Sequence, residues 1–153
     1  MEDLKVPTIA VEAEIRYFDE LPLKGRIFLP IGTATRESPM YPEEWINQTN
    51  FFFPFLVDGE DRARILNKRY VVILTIRATE HAHIWANPIG IVRNVHVECG
   101  TYQLTGTVYI DTPNYMQRLL DFANRPEAFL VVYEGEWRHI VQKSRITFLA
   151  EGD

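Results

Sequence analysis

Two histidines, His81 and His83, have the spacing in this chain that most resembles a metal site. On a β-strand, residues two positions apart point to the same side, so both imidazoles would face one ion. Zinc sites use at least three protein ligands, and the surrounding sequence offers no obvious third. We therefore predict a connector with partly exposed histidines, and we expect no metal and no other cofactor.

Glu12 and Glu14 are spaced like a pair of acid–base carboxylates on one strand face. They alternate with Val11, Ala13 and Ile15, which is the pattern of a strand with one buried and one solvated face. The chain also lacks the serine-hydrolase elbow, the zinc-protease motif and the glycine-rich phosphate-binding motifs. We therefore predict that the protein is not an enzyme.

Basic residues cluster near the end of each half of the chain. Their simplest interpretation is the solvated face of two hairpins. The alternative is a paired basic surface for an acidic partner or a phosphate backbone. The candidate nucleic-acid-binding residues are Lys68, Arg69, Lys143 and Arg145.

An aromatic segment in the first half supplies candidate contact residues. Core packing explains Phe53 and Phe55. Large apolar side chains left on a surface often mark interfaces. We therefore predict that Trp45, Phe51 and Phe52 bind a protein partner, either another protein or a second copy of the chain.

The elements that carry these residues occur twice. Gly25 and Gly106 hold equivalent places in two similar strands, and each half continues with an apolar run that ends in an acid–glycine pair, at Gly59 and at Gly135. A glycine inside a strand indicates a bend, a bulge or a close backbone approach. The acid–glycine pairs are typical of hairpin turns. The pattern predicts a duplicated module of five short strands.

Cys99 is the only cysteine, so no intrachain disulfide can form, which suits a reducing compartment. It aligns with Ile15 of the first copy, so we predict a small buried residue. The beginning of the chain lacks the basic and apolar regions of a secretory signal, and no apolar run reaches the length of a membrane span. We expect a cytoplasmic protein that does not enter a membrane.

Composition sets the class of protein. The 153 residues include 46% hydrophobic and 24% charged residues, as in a globular domain. The net charge is −5, and a general nucleic-acid or anionic-membrane surface would need the opposite sign.

The predicted fold class is mainly β, with two tandem small five-stranded β-barrels, each with a helix or loop inserted between strands 2 and 3. The boundaries are 1–77 for the first barrel, 78–91 for the connector and 92–153 for the second barrel. The third strands are apolar on both faces, so we expect the barrels to pack through them. The inserted element is a short helix at 41–47 in the first copy and a longer one that begins at Thr112 in the second.

Three segments of the second copy carry a family resemblance. The closing segment 138–146 resembles the last two strands of Sm-like proteins, and 106–111 resembles their glycine-then-aspartate strand. The helix 118–124 resembles the Arg-x-x-Asp-x-x-Asn helix of an uncharacterised bacterial family of small β domains. The Sm-like or SH3-like resemblance implies ring assembly and single-stranded RNA binding. The segment after Asp111 departs from the Sm-like pattern where the nucleotide would bind.

The leading functional prediction is a non-enzymatic protein interaction or assembly module, such as a scaffold or adaptor, that forms a homo-oligomer or binds another protein. One alternative is an Sm-like protein that binds single-stranded RNA. A second alternative is a small-ligand sensor whose site lies between the barrels.

Overall fold

The computed structural model describes residues 7–31, 40–77, 88–113 and 117–152, and the fold is mainly β. In the described residues, one short α-helix follows the second strand of each half, and a 3-10 helix follows the fourth strand, at Lys68–Tyr70 and at Lys143–Arg145. The elements in chain order are β1 (Thr8–Tyr17), β2 (Leu23–Pro30), α1 (Pro42–Ile46), β3 (Phe52–Val57), β4 (Arg64–Asn67), β5 (Val71–Arg77), β6 (Ile91–Cys99), β7 (Tyr102–Ile110), α2 (Leu119–Ala123), β8 (Phe129–Glu134), β9 (Trp137–Gln142) and β10 (Phe148–Glu151).

The strands form one antiparallel sheet in the order β10-β6-β7-β8-β9-β5-β1-β2-β3-β4. The first half consists of β1 to β5 and the second half of β6 to β10. Within each half the fifth strand lies beside the first, followed by the second, third and fourth. The halves join where β5 pairs with β9. We call this pairing the junction. Among the strands of the described residues, this leaves β4 and β10 as the two free edges of the sheet.

Two separate closed barrels are not confirmed, because the ten strands form a single sheet that does not close. To close the first half, β5 would have to pair with β4, but that side of β5 is paired with β9. The two halves were also expected to pack through their third strands. They are joined instead by β5, the fifth strand of the first half, and β9, the fourth strand of the second half.

The two strand glycines allow a close backbone approach, which is one of the three features that the sequence predicted for them. A Cβ atom on Gly25 would lie 2.0 Å from the carbonyl oxygen of Leu56, and one on Gly106 would lie 2.3 Å from that of Tyr133. Each contact is with the third strand of the same half, and the ladders there are very short. Glycine is therefore required where the second strand bends across the third.

The ladder registers correct the sequence alignment of the two halves. Gly25 pairs with Ala13, whereas Gly106 pairs with Val95, so the first strands align two residues away from the sequence match. Cys99 therefore corresponds to Tyr17 and not to Ile15. A shift of two residues keeps every side chain on its own face, and the predicted burial of Cys99 is confirmed.

The predicted turns and the first helix are confirmed. Gly59 and Gly135 have φ of 84° and 58° and lie in the turns of the β3–β4 and β8–β9 hairpins. Helix α1 begins with Pro42, which suits the first turn of a helix. Pro54 pairs only with β4, because the ladder to β2 covers just the end of β3.

Helix α2 is shorter than the sequence predicted. It begins at Leu119 and not near Thr112, and it ends at Ala123. The backbone N–H of Arg118 donates to Oδ2 of Asp121 (3.3 Å), which satisfies a donor at the helix start. The predicted helical residues Tyr115 and Met116 lie outside the described residues.

Each half has its own buried cluster, and the junction exchanges residues between them. Phe129 and Ile140 of the second half belong to the first-half cluster. Val72 and Ile73 of the first half belong to the second-half cluster. Because each half completes the core of the other, the two halves form one folded unit.

Candidate functional site at the junction and the free edges

The junction is a five-pair antiparallel ladder. Its central pairs are Leu74 with Ile140 and Thr75 with His139. Leu74 and Ile140 have no exposed surface, and Thr75 and His139 are buried. The two strands come from different halves of the chain, and Thr75 and His139 are 64 positions apart, so the pairing is a long-range contact.

Side-chain hydrogen bonds extend the junction beyond the ladder. The Asn47 amide accepts from the backbone N–H of Phe129 (2.9 Å) and donates to its carbonyl oxygen (3.3 Å). The Gln142 amide donates to the carbonyl oxygens of Val71 (2.6 Å) and Lys68 (2.9 Å). Each amide thus bonds to backbone groups of the opposite half and helps to set the register.

A cleft of about 570 Å³ lies along the junction, between β1, β2, β5 and the β8–β9 hairpin. Its walls carry charges of both signs. Glu14 and Arg16 form an ion pair at 3.4 Å, and Arg77 bonds Glu136 at 2.8 Å beside the cleft. Such a mixture of charges suits a small polar ligand with both donor and acceptor groups.

The cleft contains a chain of hydrogen-bonded side chains. Thr75 Oγ1 lies 2.8 Å from His139 Nδ1, and His139 Nε2 lies 3.0 Å from Glu134 Oε1. Burial lowers the pKa of His139 below its ordinary value, against the opposing effect of Glu134. The imidazole is therefore neutral near pH 7, with Thr75 donating to Nδ1 and Nε2 donating to Glu134. These bonds satisfy the buried polar atoms, which is enough to account for their presence.

The two carboxylates singled out by the sequence line this cleft. Glu12 and Glu14 extend from β1 on the side of the sheet that faces it, so they are not only a solvated surface. No pattern in the sequence indicated that Thr75, Glu134 or His139 would lie near these carboxylates. Only the pairing of β5 with β9 brings the two groups together.

The predicted partner-binding residues divide into two groups. Phe51 and Phe52 are exposed, at 78% and 52% of their surface. Trp45 is buried in α1 and packs edge-on against Phe53, with ring centroids 5.2 Å apart. The exposed aromatic surface therefore consists of Phe51 and Phe52 at the start of β3, beside the free edge.

Both free edges carry large exposed apolar side chains. Ile65 on β4 is 65% exposed, and Phe148 on β10 is 50% exposed. Within the part of the chain that the structure describes, each strand has a ladder on one side only. The sequence prediction did not include Ile65 or Phe148, because hydrophobicity alone does not show which strands end the sheet.

The two candidate lysines are engaged within the protein. Lys68 Nζ donates to the carbonyl oxygen of Gln48 (3.0 Å) and to Asn50 Oδ1 (2.8 Å). Lys143 Nζ donates to the carbonyl oxygen of Arg125 (2.6 Å). Burial lowers the pKa of both lysines. Each lysine fastens the segment that follows the helix of its own half.

Of the two candidate arginines, one is exposed and one is held. Arg69 is exposed. Arg145 donates through Nη2 to the carbonyl oxygen of Arg69 (2.6 Å), and its guanidinium lies 4.6 Å from the ring centre of Phe18. Arg145 therefore ties the second half to the first. The structure does not assemble the four cations into one open surface.

Burial raises the pKa of Cys99 to about 11, so the thiol is protonated near neutral pH. His81 and His83 lie outside the described residues. Within the described ranges, no group of three histidine, cysteine or acidic side chains is arranged to hold a metal ion. No helix in that part of the chain is long and apolar enough to cross a membrane.

The comparisons with known proteins give no relative. The chain matches no protein family, no curated protein and no solved structure.

Proposed function

We propose that the protein is a non-enzymatic assembly module that binds other protein chains through its two free edges, β4 and β10. In this proposal each half acts as one five-stranded unit of a scaffold. The function is to hold chains together and involves no chemical step.

The observation that carries the proposal is the exposure of Ile65 and Phe148 on strands that each have an unpaired side. An edge strand offers a row of backbone donors and acceptors to another strand. Apolar side chains along such an edge add buried area when a partner pairs with it. Phe51 and Phe52 extend this apolar surface at the β4 edge.

The test is association of the tagged chain with other chains in its host cell, followed by cross-linking and mass spectrometry. We expect Ile65→Lys and Phe148→Lys each to remove a set of cross-links made by the wild type, because a charge on an edge strand opposes pairing. The matched control is Leu21→Lys, which alters an exposed apolar residue outside both edge strands. Cross-links unaffected by both edge variants, or a chain with no partner of any kind, would contradict the proposal.

A second candidate function is binding of a small polar ligand in the junction cleft. The observation in its favour is a cleft of about 570 Å³ with charges of both signs and the buried imidazole of His139. A ligand at a hundred times its dissociation constant would stabilise the fold by about 2.7 kcal/mol. A thermal-shift screen of nucleotides and metabolites tests this, with Lys24→Ala and Glu12→Gln as variants that should abolish the shift.

Single-stranded RNA binding has less support. Lys143 and Arg145 both donate to backbone carbonyl groups, and Lys68 is buried. If RNA is nevertheless the ligand, Lys143→Glu and Arg145→Glu will weaken a salt-dependent association. The absence of binding at low salt would end this alternative.

A further inference from the structure

The ladder registers show which strand of one half is equivalent to which strand of the other half. Phe53 lies opposite Leu66, and Leu130 lies opposite Val141. Strand β4 is thus equivalent to β9, and Ile65 is equivalent to Ile140. By the same reasoning from the first strands, β10 is equivalent to β5.

The junction therefore joins the fifth strand of the first half to the fourth strand of the second half. The free edges are the other fifth strand and the other fourth strand. Strand β5 of the first half pairs with β9 of the second half. Strand β10 is the unpaired fifth strand and β4 is the unpaired fourth strand. A fifth strand thus pairs with a fourth strand once within the chain, and one strand of each type remains at an edge.

The exposed apolar residues at the edges are the equivalents of residues that the junction buries. Ile140 is fully buried in the first-half core, whereas its equivalent Ile65 is 65% exposed. Ile73 is fully buried in the second-half core, whereas its equivalent Phe148 is 50% exposed.

A third pair behaves in the same way. Phe129 of β8 is 5% exposed and packs into the first-half core, whereas its equivalent Phe52 of β3 is 52% exposed. Three side chains that cross from one half to the other at the junction thus have exposed counterparts at the edges. This explains why the molecule carries large apolar groups there.

We propose that the partner of each free edge is a second copy of this chain, with β10 of one copy paired antiparallel to β4 of the next. The inference rests on the assembly function proposed above and names its partner. Transfer of the junction register gives the opposed pairs Phe148–Leu66, Leu149–Ile65 and Ala150–Arg64. In this arrangement Phe148 enters the first-half core of the neighbouring copy, and Ile65 enters the second-half core.

The amide contact of the junction also has its counterpart. Asn47 follows α1 and bonds the backbone of Phe129. Asn124 follows α2 at the equivalent position, and its backbone N–H makes the same helix-ending bond as that of Asn47. In the assembled pair the Asn124 amide bonds the backbone of Phe52 in the neighbouring copy.

The polar contacts are where the junction and the proposed interface differ. At the junction Arg138 bonds Glu43 at 3.3 Å. The equivalent residues at the interface between copies are Ala63 and Leu120, and Leu120 is 58% exposed. An apolar pair replaces the ion pair, so the interface between copies buries additional apolar surface.

The interface joins two different surfaces, so it is heterologous. Repetition gives a ring where the rotation between copies closes and a filament where it does not. In both cases every internal copy uses β4 and β10 at once.

The test exploits the difference between the two edges. Ile65→Lys blocks β4 and leaves β10 free, whereas Phe148→Lys blocks β10 and leaves β4 free. Both residues are exposed, so the variants fold, which thermal unfolding verifies. In light scattering we expect wild type to exceed twice the chain mass of 17.9 kDa and each variant alone to be a monomer. An equimolar mixture of the two variants should form a one-to-one dimer.

A cross-link fixes the register. On a Cys99→Ala background, Arg64→Cys in one copy and Ala150→Cys in the other should form a disulfide when mixed, since opposed residues of paired strands lie within reach. The control mixes Arg64→Cys with Thr101→Cys, which lies in the β6–β7 turn and is not opposed to Arg64 in the transferred register, and should give no product.

The outcomes separate this inference from the assembly function. A mixture of variants that stays monomeric, or Arg64→Cys that cross-links only to itself, overturns the pairing of copies. If edge variants lose cross-links to a different protein while wild type stays monomeric, the inference fails and the assembly function stands. If wild type is monomeric and binds no protein, both fail.

Discussion

The fourth and fifth strands occur twice in this molecule, in different surroundings. At the junction, β5 and β9 pair over five residues and bury Ile73 and Ile140 completely. At the free edges, the equivalent residues Phe148 and Ile65 are at least half exposed. The two sets of strands have corresponding registers within their own halves, and they differ in whether a further strand pairs with them.

Equivalent positions of the two halves thus share an apolar side chain, and whether that side chain is buried depends on whether a further strand pairs beside it. An isolated domain would replace edge residues such as Ile65 by charges. The edge instead retains residues suited to the contact made at the junction. Four pairs of substitutions, each with a junction residue and its edge counterpart or neighbour, test whether the comparison holds.

The largest effect is expected for the buried isoleucine. Ile140→Ala leaves a cavity in the first-half core and should lower the free energy of unfolding by about 2–5 kcal/mol. The equivalent Ile65→Ala should change it by less than about 0.5 kcal/mol in dilute protein, where the edge is free. Urea denaturation measures both. Equal losses at high dilution would show that the edge is already covered within one chain.

The second-largest effect on stability is expected for the side-chain amides of Asn47 and Asn124. Asn47→Ala leaves the backbone N–H and C=O of Phe129 without their partner and should cost about 1–3 kcal/mol. Asn124→Ala should cost almost nothing in dilute protein. Its cost should grow with protein concentration if the amide bonds a neighbouring copy. A concentration series of thermal melts distinguishes the two, and a large constant cost for Asn124→Ala would break the comparison.

Of the matched residues at the junction and at the edge, only the junction residue should make the stability of the fold depend on pH. Burial lowers the pKa of His139 below its ordinary value of 6.5, so the unfolded chain takes up the proton first as the pH falls. Stability is therefore fully present above pH 6.5 and declines as the pH drops toward the folded-state pKa, at no more than about 1.4 kcal/mol per unit.

The matched variants are His139→Gln at the junction and Arg64→Gln, its equivalent at the edge. Glu134, Glu14 and Arg16 surround the imidazole and remain in place. Urea denaturation between pH 5 and 8 should show that His139→Gln removes this decline and that Arg64→Gln does not. A decline that persists without His139 would assign it to another group.

The smallest effect concerns the arginines. Arg145→Ala removes the bonds to the Arg69 carbonyl and the stacking on Phe18, and should cost about 0.5–1 kcal/mol. Arg69→Ala leaves that carbonyl in place and should be close to neutral. Chemical denaturation at matched salt measures the difference. A neutral Arg145→Ala would remove this residue from the junction.

Much of the local structure was predictable because its causes are local. Gly25 and Gly106 indicated a bend, a bulge or a close backbone approach, of which the structure shows the close approach, and Gly59 and Gly135 indicated hairpin turns. Pro42 indicated the start of a helix. These residues act through their own backbone geometry, so the sequence carries their effect directly.

The site was predicted only in part. Phe51 and Phe52 are exposed as expected, but Trp45 is buried, because α1 lies over Phe53 and its own spacing does not reveal that contact. The lysines were placed on a solvated face, whereas Lys68 is buried with its charge held by hydrogen bonds. Long side chains of this kind follow the packing around them.

The sequence by itself determined the mainly β class, the hairpin turns at Gly59 and Gly135, and the burial of Cys99. Only the tertiary structure decided that β5 pairs with β9, and this choice places Thr75 beside His139 across 64 residues of chain. Backbone hydrogen bonds between strands are the same for every sequence, so pairing depends on which apolar faces fit together. That fit depends on residues far apart in the chain, and it also decides which two edges remain free.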